Sequence, residues 1–195
     1  MRAVKPSALK SLVATACLGV AFATSACGTE EPVTFAPGEG TYVDVGSTAY
    51  QVQISRVLNP EGPEDRSYLI GRPADQMAPL AKDEQWFAVF LRAQNYGSAP
   101  ETLATNFRIF DTEGKSWRPI KLDANNPFAW APTEQLVPDY TYPDPSSISG
   151  AGPVRQGSLL LFRIKDSVYQ NRPLILEIYD PANPRKVAAS ISLDL

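Results

Sequence analysis

Hydrophobic residues recur at every second position over much of the chain after residue 47, which is the spacing of β-strands whose two faces differ. Turn-forming residues separate the segments that show this alternation. The predicted strands lie within residues 48–55, 66–70, 85–94, 107–110, 115–120, 160–164, 174–178 and 187–193. About eight short strands at regular spacing are typical of two antiparallel sheets packed face to face.

Local turn and helix signals agree with this prediction. Residues 111–114 have the sequence Asp-Thr-Glu-Gly, which is typical of a hairpin turn with Gly114 in the left-handed region. One short helical turn is predicted around residues 74–80, where Pro73 and Pro79 keep any helix short. The eighteen prolines of the chain disfavour long helices and suit strand ends and loops.

The same alternation predicts which side chains form the core, because residues at i and i+2 share one face of a strand. It places Ile54 on the same face as Val52, and it predicts one inward face made of Val187, Ala189, Ile191 and Leu193. A two-sheet sandwich over residues 47–195 is large enough for a single core. Residues expected to be buried together in it are Phe87, Val89, Leu91, Ile109, Phe162, Leu176 and Ile191.

Two segments resemble a bacterial immunoglobulin-like family of exported lipoproteins whose function is unknown. They read WFAVFLRAQNYGSAPETLATNFRIFDTEGKSW (86–117) and GPVRQGSLLLFRIKDSVYQNRPLILEIYD (152–180). In that family a long strand ends in Asn and a turn, a hairpin follows, and a later pair of apolar strands completes the domain. The resemblance covers residues 50–195 and implies an all-β fold, an immunoglobulin-like antiparallel β-sandwich of about 7–9 strands. It implies a cell-surface module and supplies no catalytic residues.

The N-terminal residues have the pattern of a bacterial export signal. Arg2, Lys5 and Lys10 precede an apolar run over residues 12–26, and the chain then turns polar. That run is shorter than the roughly 20 apolar residues that a transmembrane helix needs. We therefore predict a lipoprotein signal peptide at residues 1–26.

The residues before Cys27 indicate lipidation. Thr24-Ser25-Ala26-Cys27 resembles the lipobox of bacterial lipoproteins, although Thr24 stands where the motif usually has Leu. Cleavage before Cys17 would leave an apolar region shorter than the roughly seven residues that an export signal requires. We therefore predict a diacylglyceryl group on Cys27, which holds the protein on the extracytoplasmic face of the cell membrane. The alternatives are secretion without a lipid and a Cys17–Cys27 disulfide.

After cleavage at Cys27, residues 27–46 are expected to form a lipidated N-terminus and a flexible tether, because residues 32–40 are rich in proline and glycine. Loss of three basic residues with the signal peptide changes the net charge from −3 to −6. This negative charge disfavours nucleic acid as a partner.

The chain contains no histidine, and Cys27 is the only cysteine that remains after cleavage. This composition excludes Ser-His-Asp and Cys-His catalytic arrangements and removes the usual ligands of zinc, copper and iron. We expect no cofactor, no metal site and no catalytic residues. The carboxylates are dispersed beside proline and glycine, so a carboxylate-based hydrolase is the weakest alternative.

A long segment, residues 122–156, shows neither strand nor helix periodicity and is rich in proline. Long irregular loops are usually functional or disordered, and disorder normally comes with few aromatic residues. One interpretation is that the rings of this loop cover an open edge of the sandwich. The other is that they form a recognition surface. The four candidate partner-binding residues are Phe128, Trp130, Tyr140 and Tyr142.

These features together predict a membrane-anchored extracytoplasmic lipoprotein that acts as a non-enzymatic binding or adaptor module. Asp139 and Asp144 lie beside the loop tyrosines and favour a basic or hydroxyl-rich partner, either a protein or a glycan. The alternative is a structural spacer of the envelope without a defined ligand.

Overall fold

The predicted strands form two sheets that pack against each other. A computed structural model describes residues 31–123, 125–151 and 157–193. One six-residue helix, α1 (Pro63–Tyr68), interrupts the strands. The ten strands are β1 (Phe35–Ala36), β2 (Tyr42–Val45), β3 (Thr48–Leu58), β4 (Glu84–Asn95), β5 (Phe107–Phe110), β6 (Ser116–Trp117), β7 (Thr141–Tyr142), β8 (Ser158–Lys165), β9 (Leu174–Asp180) and β10 (Asn183–Leu193).

The first sheet has the order β1-β10-β9-β5-β6. In the second sheet β2, β3 and β4 are neighbours, and β7 and β8 both pair with β4. Pairings between these strands are antiparallel except for β1 with β10, which is parallel. The predicted antiparallel β-sandwich is therefore confirmed. The described residues form ten strands rather than the predicted seven to nine, because this number includes three strands of only two residues each, β1, β6 and β7.

The inner faces of the two sheets form one hydrophobic core, and the seven side chains predicted to be buried there all belong to it. Phe87, Leu176 and Ile191 are fully buried in this core. Because the alternation of apolar residues specifies one face of a strand, it was sufficient to identify these positions.

A second hydrophobic cluster covers the outer face of the second sheet. Its members are Leu58, Tyr68, Leu69, Trp86, Ala88, Phe90, Leu122, Leu159 and Leu161. The strand predicted at residues 66–70 is wrong, because residues 63–68 form α1. Pro63 suits the first turn of a helix, and Tyr68 and Leu69 are both buried against the sheet. The outer face of β4 is thus buried from Trp86 to Phe90, whereas Arg92 and Gln94 further along the same face are partly exposed.

An irregularity in β3 changes which side chains face the core. Val52 pairs with Leu91 and Ile54 pairs with Phe90, so Gln53 is an extra residue in β3. Such a bulge shifts the following residues to the opposite face. Ile54, predicted to share the inner face with Val52, instead packs against the outer cluster.

A similar irregularity occurs in β10. The register shifts on both sides of Val187, and Val187 is exposed although the alternation predicts that it faces inward. Ala189, Ile191 and Leu193 are buried as predicted.

Both local predictions are confirmed. Gly114 has φ +80°, and the Asp111 carboxylate accepts hydrogen bonds from the backbone N–H groups of Glu113 and Lys115, which closes the β5–β6 hairpin. Residues 74–76 form a short 3₁₀ helix.

Residues 31–46 are part of the sandwich, so the tether predicted over residues 27–46 is wrong in this part. Val33 donates a backbone hydrogen bond to the carboxylate of Asp44, and Phe35 pairs with Ser190 of β10. Cys17 and Cys27 lie outside the described residues. Within the described ranges, no helix has the length and hydrophobicity needed to cross a membrane.

Candidate recognition surface

The aromatic loop, residues 122–151 as described, is attached to the sandwich at three places. Ala129 forms a bridge to Leu159 at the free edge of β8, and Leu136 forms a bridge to Glu101. Further along, β7 pairs with the last residues of β4. Because β4 extends beyond the start of β8, β7 covers a stretch of sheet edge that would otherwise be unpaired.

Trp130 is the main anchor of the loop. Its ring lies against Tyr50, Phe107 and Tyr142, at centroid distances of 6.1, 5.7 and 4.9 Å. Its indole Nε1 donates a hydrogen bond of 2.8 Å to the carbonyl oxygen of Ala104. Trp130 is therefore held by both packing and a polar contact.

Two other predicted residues also pack inward. The ring of Tyr142 is partly buried against the core, and its hydroxyl oxygen accepts a 3.2 Å hydrogen bond from the backbone N–H of Ala131. Burial raises the pKa of the Tyr142 hydroxyl. Phe128 meets Tyr68 edge to face at 4.8 Å and joins the outer cluster. Tyr142 and Phe128 therefore help the loop to cover the sheets, as the first interpretation of the loop predicted.

Tyr140 differs from the other three, because 61 % of it is exposed. Its backbone is nevertheless fixed: the Tyr140 carbonyl oxygen accepts a hydrogen bond from Asn95, and the Asp139 N–H donates one to the Asn95 carbonyl. Asp139 has φ +65°, a left-handed conformation that is uncommon outside glycine but that aspartate adopts more readily than most residues, and these bonds hold it. The loop therefore presents one large ring from a rigid backbone.

A groove of about 430 Å³ lies beside Tyr140. Among the side chains that line it are Pro132, Glu134, Gln135, Tyr140, Tyr142 and Asp144. Residues 122–151 contain four acidic residues and neither lysine nor arginine. The groove thus combines an aromatic ring with negative charge and amide or hydroxyl groups.

Two carboxylates that line surface grooves, Glu84 and Asp144, have lowered pKa values. Hydrogen bonds from the Ala81 N–H and from Arg163 lower the pKa of Glu84 to about 2. Hydrogen bonds from the hydroxyl and the backbone N–H of Ser146 lower the pKa of Asp144. A glycosidase needs a general acid with a raised pKa, so neither group suits that role. In the described part of the chain, no three acidic side chains lie close enough together to hold a metal ion.

Sequence reasoning did not identify Asn95 as the residue that positions the loop. Asn95 is fully buried, and its side-chain amide donates to the carbonyl oxygens of Ala99 at 2.8 Å and Leu136 at 2.7 Å. Its side-chain oxygen accepts a 2.8 Å hydrogen bond from Gly97. Only the position of this asparagine at the end of a long apolar strand hints at such a role.

Solved structures with a similar fold come from several bacteria. A β-sandwich protein from Clostridium difficile is 11 % identical, with a TM-score of 0.44, over 82 % of this chain and 95 % of its own. A candidate lipoprotein from Bacillus subtilis is 8 % identical, with a TM-score of 0.47, over 79 % of this chain and 38 % of its own. A protein of unknown function from Listeria monocytogenes is 12 % identical, with a TM-score of 0.44, over 75 % and 73 %. No protein family model and no curated protein matches the chain.

Proposed function

We propose that this protein is a lipid-anchored module of the extracytoplasmic membrane face that binds a partner through the groove beside Tyr140, without catalysing a reaction. The observation that carries the proposal is the exposure of Tyr140 on a backbone whose hydrogen bonds to Asn95 fix its position. A large ring held in this way loses little conformational entropy when it binds.

The packing of the other three rings supports this assignment. Trp130, Tyr142 and Phe128 hold the loop on the two sheets and leave Tyr140 as its exposed contact residue. A rigid aromatic residue surrounded by polar groups is typical of an interaction hot spot. The recognition role predicted for four residues is thus proposed for Tyr140, with the other three as its support.

The charge of the loop defines the class of partner. Its four acidic residues, without a basic residue among residues 122–151, disfavour anionic ligands. A hydroxyl-rich glycan or a basic segment of a protein suits this surface. A sugar ring stacks on the face of a tyrosine and forms hydrogen bonds to carboxylate and amide groups such as those of Asp144 and Gln135.

The predicted anchor limits how far the sandwich stands from the membrane. Val33 already belongs to the sandwich, since its N–H donates to Asp44. Val33 is six residue steps along the chain from Cys27, a stretch that spans about 20 Å at most when fully extended. A diacylglyceryl group on Cys27 would therefore keep the N-terminal edge of the sandwich close to the membrane surface, where an adaptor meets envelope components.

Crosslinking capture from intact cells tests the proposal, with Tyr140→Ser compared with Tyr169→Ser. Tyr169 is also exposed but lies in a different part of the fold, at residues 166–170. We expect Tyr140→Ser to lose a partner that the wild type and Tyr169→Ser retain, with an unchanged melting temperature. Identical capture by all three proteins would contradict a binding role for this groove and favour the spacer alternative.

A further inference from the structure

A second groove, separate from the aromatic loop, collects positive charge. It lies where the edge of the first sheet at β6 approaches the edge of the second sheet at β8, and its volume is about 620 Å³. Its charged lining residues are Arg108, Arg118, Arg163, Lys165 and Glu84. Four cations thus share this groove with one carboxylate.

Two of these cations are neutralised locally. Arg163 donates from Nε to the Glu84 carboxylate at 2.8 Å, and Lys165 lies 2.9 Å from a carboxylate oxygen of Asp83. Lys165 also lies 3.4 Å from Glu84. Arg163 and Lys165 therefore contribute little uncompensated charge to the groove.

Arg108 and Arg118 have no such partners. Within the described ranges neither forms an ion pair with a carboxylate, and Arg118 donates one 3.3 Å hydrogen bond to the side-chain oxygen of Asn106. Ile109 pairs with Trp117, so the next step of the hairpin register places Arg108 opposite Arg118. Like charges in opposite positions repel each other, and Glu84, the carboxylate that lines the groove, is engaged by Arg163 and Lys165.

Arg108 is also held against two aromatic rings while one of its guanidinium nitrogens, Nε, is left without a hydrogen bond from the described residues. Its guanidinium lies 5.5 Å from the ring of Phe110 and 5.8 Å from that of Tyr179. Its Nε is buried and finds no hydrogen-bond partner within residues 31–123, 125–151 and 157–193. Glu177 pairs with Arg108 across the sheet, but its carboxylate accepts a 2.7 Å hydrogen bond from the Tyr179 hydroxyl. A buried, unpartnered donor is costly unless a ligand satisfies it.

We propose that this groove binds a phosphate group between Arg108 and Arg118. Two guanidinium groups offer ten N–H donors, of which Arg118 uses one on Asn106. A single carboxylate has only two oxygens and can accept a bidentate pair of hydrogen bonds from one guanidinium group. A phosphate has enough oxygens to accept such a pair from each of the two guanidinium groups. The indole of Trp117 lines the same groove and provides an apolar wall. None of these residues belongs to the loop groove, so the two proposals fail or succeed independently.

A phosphate group could reach this groove either as a free anion or as part of a phosphodiester polymer. Two probes distinguish these ligands: inorganic phosphate and a short glycerol phosphate oligomer. The indole ¹H–¹⁵N signal of Trp117 reports binding directly, since Trp86 and Trp130 lie outside this groove. We expect this signal to shift with saturation for one or both probes. Preference for inorganic phosphate indicates a free anion, and preference for the oligomer indicates a phosphodiester polymer.

Arg118→Gln tests the assignment, because Arg118 is exposed and its replacement leaves the core intact. We expect roughly tenfold weaker binding, the effect of one lost charge-assisted contact. Arg185→Gln removes the same charge from an exposed position near the start of β10 and serves as the matched control, with binding unchanged. Arg108→Lys keeps the charge but loses the fork, and we expect weaker binding there too. Equal weakening by Arg118→Gln and Arg185→Gln, or a Trp117 signal that neither probe shifts, would overturn the proposal.

Discussion

The indole of Trp130 and the backbone carbonyl of Ala104 are joined by a 2.8 Å hydrogen bond that ties the aromatic loop to the segment before β5. The N–H of the same Ala104 donates a 2.8 Å hydrogen bond to the hydroxyl oxygen of Tyr50, which lies in the core. Two aromatic side chains, one from the loop and one from β3, thus satisfy both backbone groups of one residue. The cover function of the loop and the stability of the core are coupled at this point.

Replacing Trp130 with phenylalanine tests this coupling. Trp130→Phe keeps a ring against Tyr142 but leaves the Ala104 carbonyl without its donor. We expect the free energy of unfolding to fall by about 1–3 kcal/mol, the usual cost of an unsatisfied buried polar group. Denaturant unfolding measures this. Tyr140→Phe is the control, with a change within about 0.5 kcal/mol because Tyr140 is exposed. An unaltered stability of Trp130→Phe would refute the anchoring role.

Stability is expected to decline in alkali because of Tyr50. Burial raises the pKa of the Tyr50 hydroxyl from 10.0 to about 12. Between these pH values the folded protein binds more protons than the unfolded chain, so stability falls as pH rises. The protonated Tyr50 hydroxyl makes its full contribution to the free energy of unfolding below pH 10, and this contribution is lost as pH rises to about 12. A shift of two pKa units corresponds to a loss of roughly 3 kcal/mol.

Urea unfolding at a series of pH values checks this expectation. Tyr50→Phe should flatten the decline above pH 10, although it also lowers stability at neutral pH because the Ala104 N–H loses its acceptor. If the stability of the wild type and of Tyr50→Phe fell equally steeply above pH 10, the pH dependence would have to come from other tyrosines.

Truncations in the core should be severe. Phe162 and Leu176 are fully buried between the sheets, and replacing either with alanine removes apolar contacts and leaves a cavity. We expect losses of about 2–5 kcal/mol in the free energy of unfolding. Ile70→Ala is a suitable control, since Ile70 is 52 % exposed. Losses as small as that of the control would contradict the packing described for this core.

The proposed anchor is tested by two cysteine variants. Cys27→Ala should leave the chain without a diacylglyceryl group and move it to the aqueous phase in a detergent partition experiment. Cys17→Ala should remain in the detergent phase, because the proposed cleavage before Cys27 removes Cys17 with the signal peptide. An aqueous Cys17→Ala protein would argue against Cys27 as the lipidation site.

Strand alternation was sufficient to predict the inner faces of β4, β8 and β9, because period-2 burial is a local signal that survives in the sequence. It failed at Ile54 and Val187, where an extra residue in one strand moves side chains to the other face. A bulge is defined by the pairing of two strands, so neither strand reports it alone.

The roles of the loop rings illustrate the same limit. The proline-rich composition of residues 122–151 and its aromatic residues were visible in the sequence, and both a cover and a recognition surface were compatible with them. Only the folded chain separates Trp130, which packs on Tyr50, from Tyr140, which is exposed. The distinction depends on residues that lie tens of positions away, in β3 and β4.

By itself, the sequence determined the β-sandwich, its core, the absence of histidine and the export-signal pattern, because these depend on residue type and short-range periodicity. The tertiary structure decided that α1 covers the outer face of the second sheet and that Asn95 fixes the backbone of Tyr140. It also decided that Arg108 and Arg118 share one groove, where neither forms an ion pair with a carboxylate of the described residues. These features arise from contacts between strands distant in sequence, whose register no local pattern encodes.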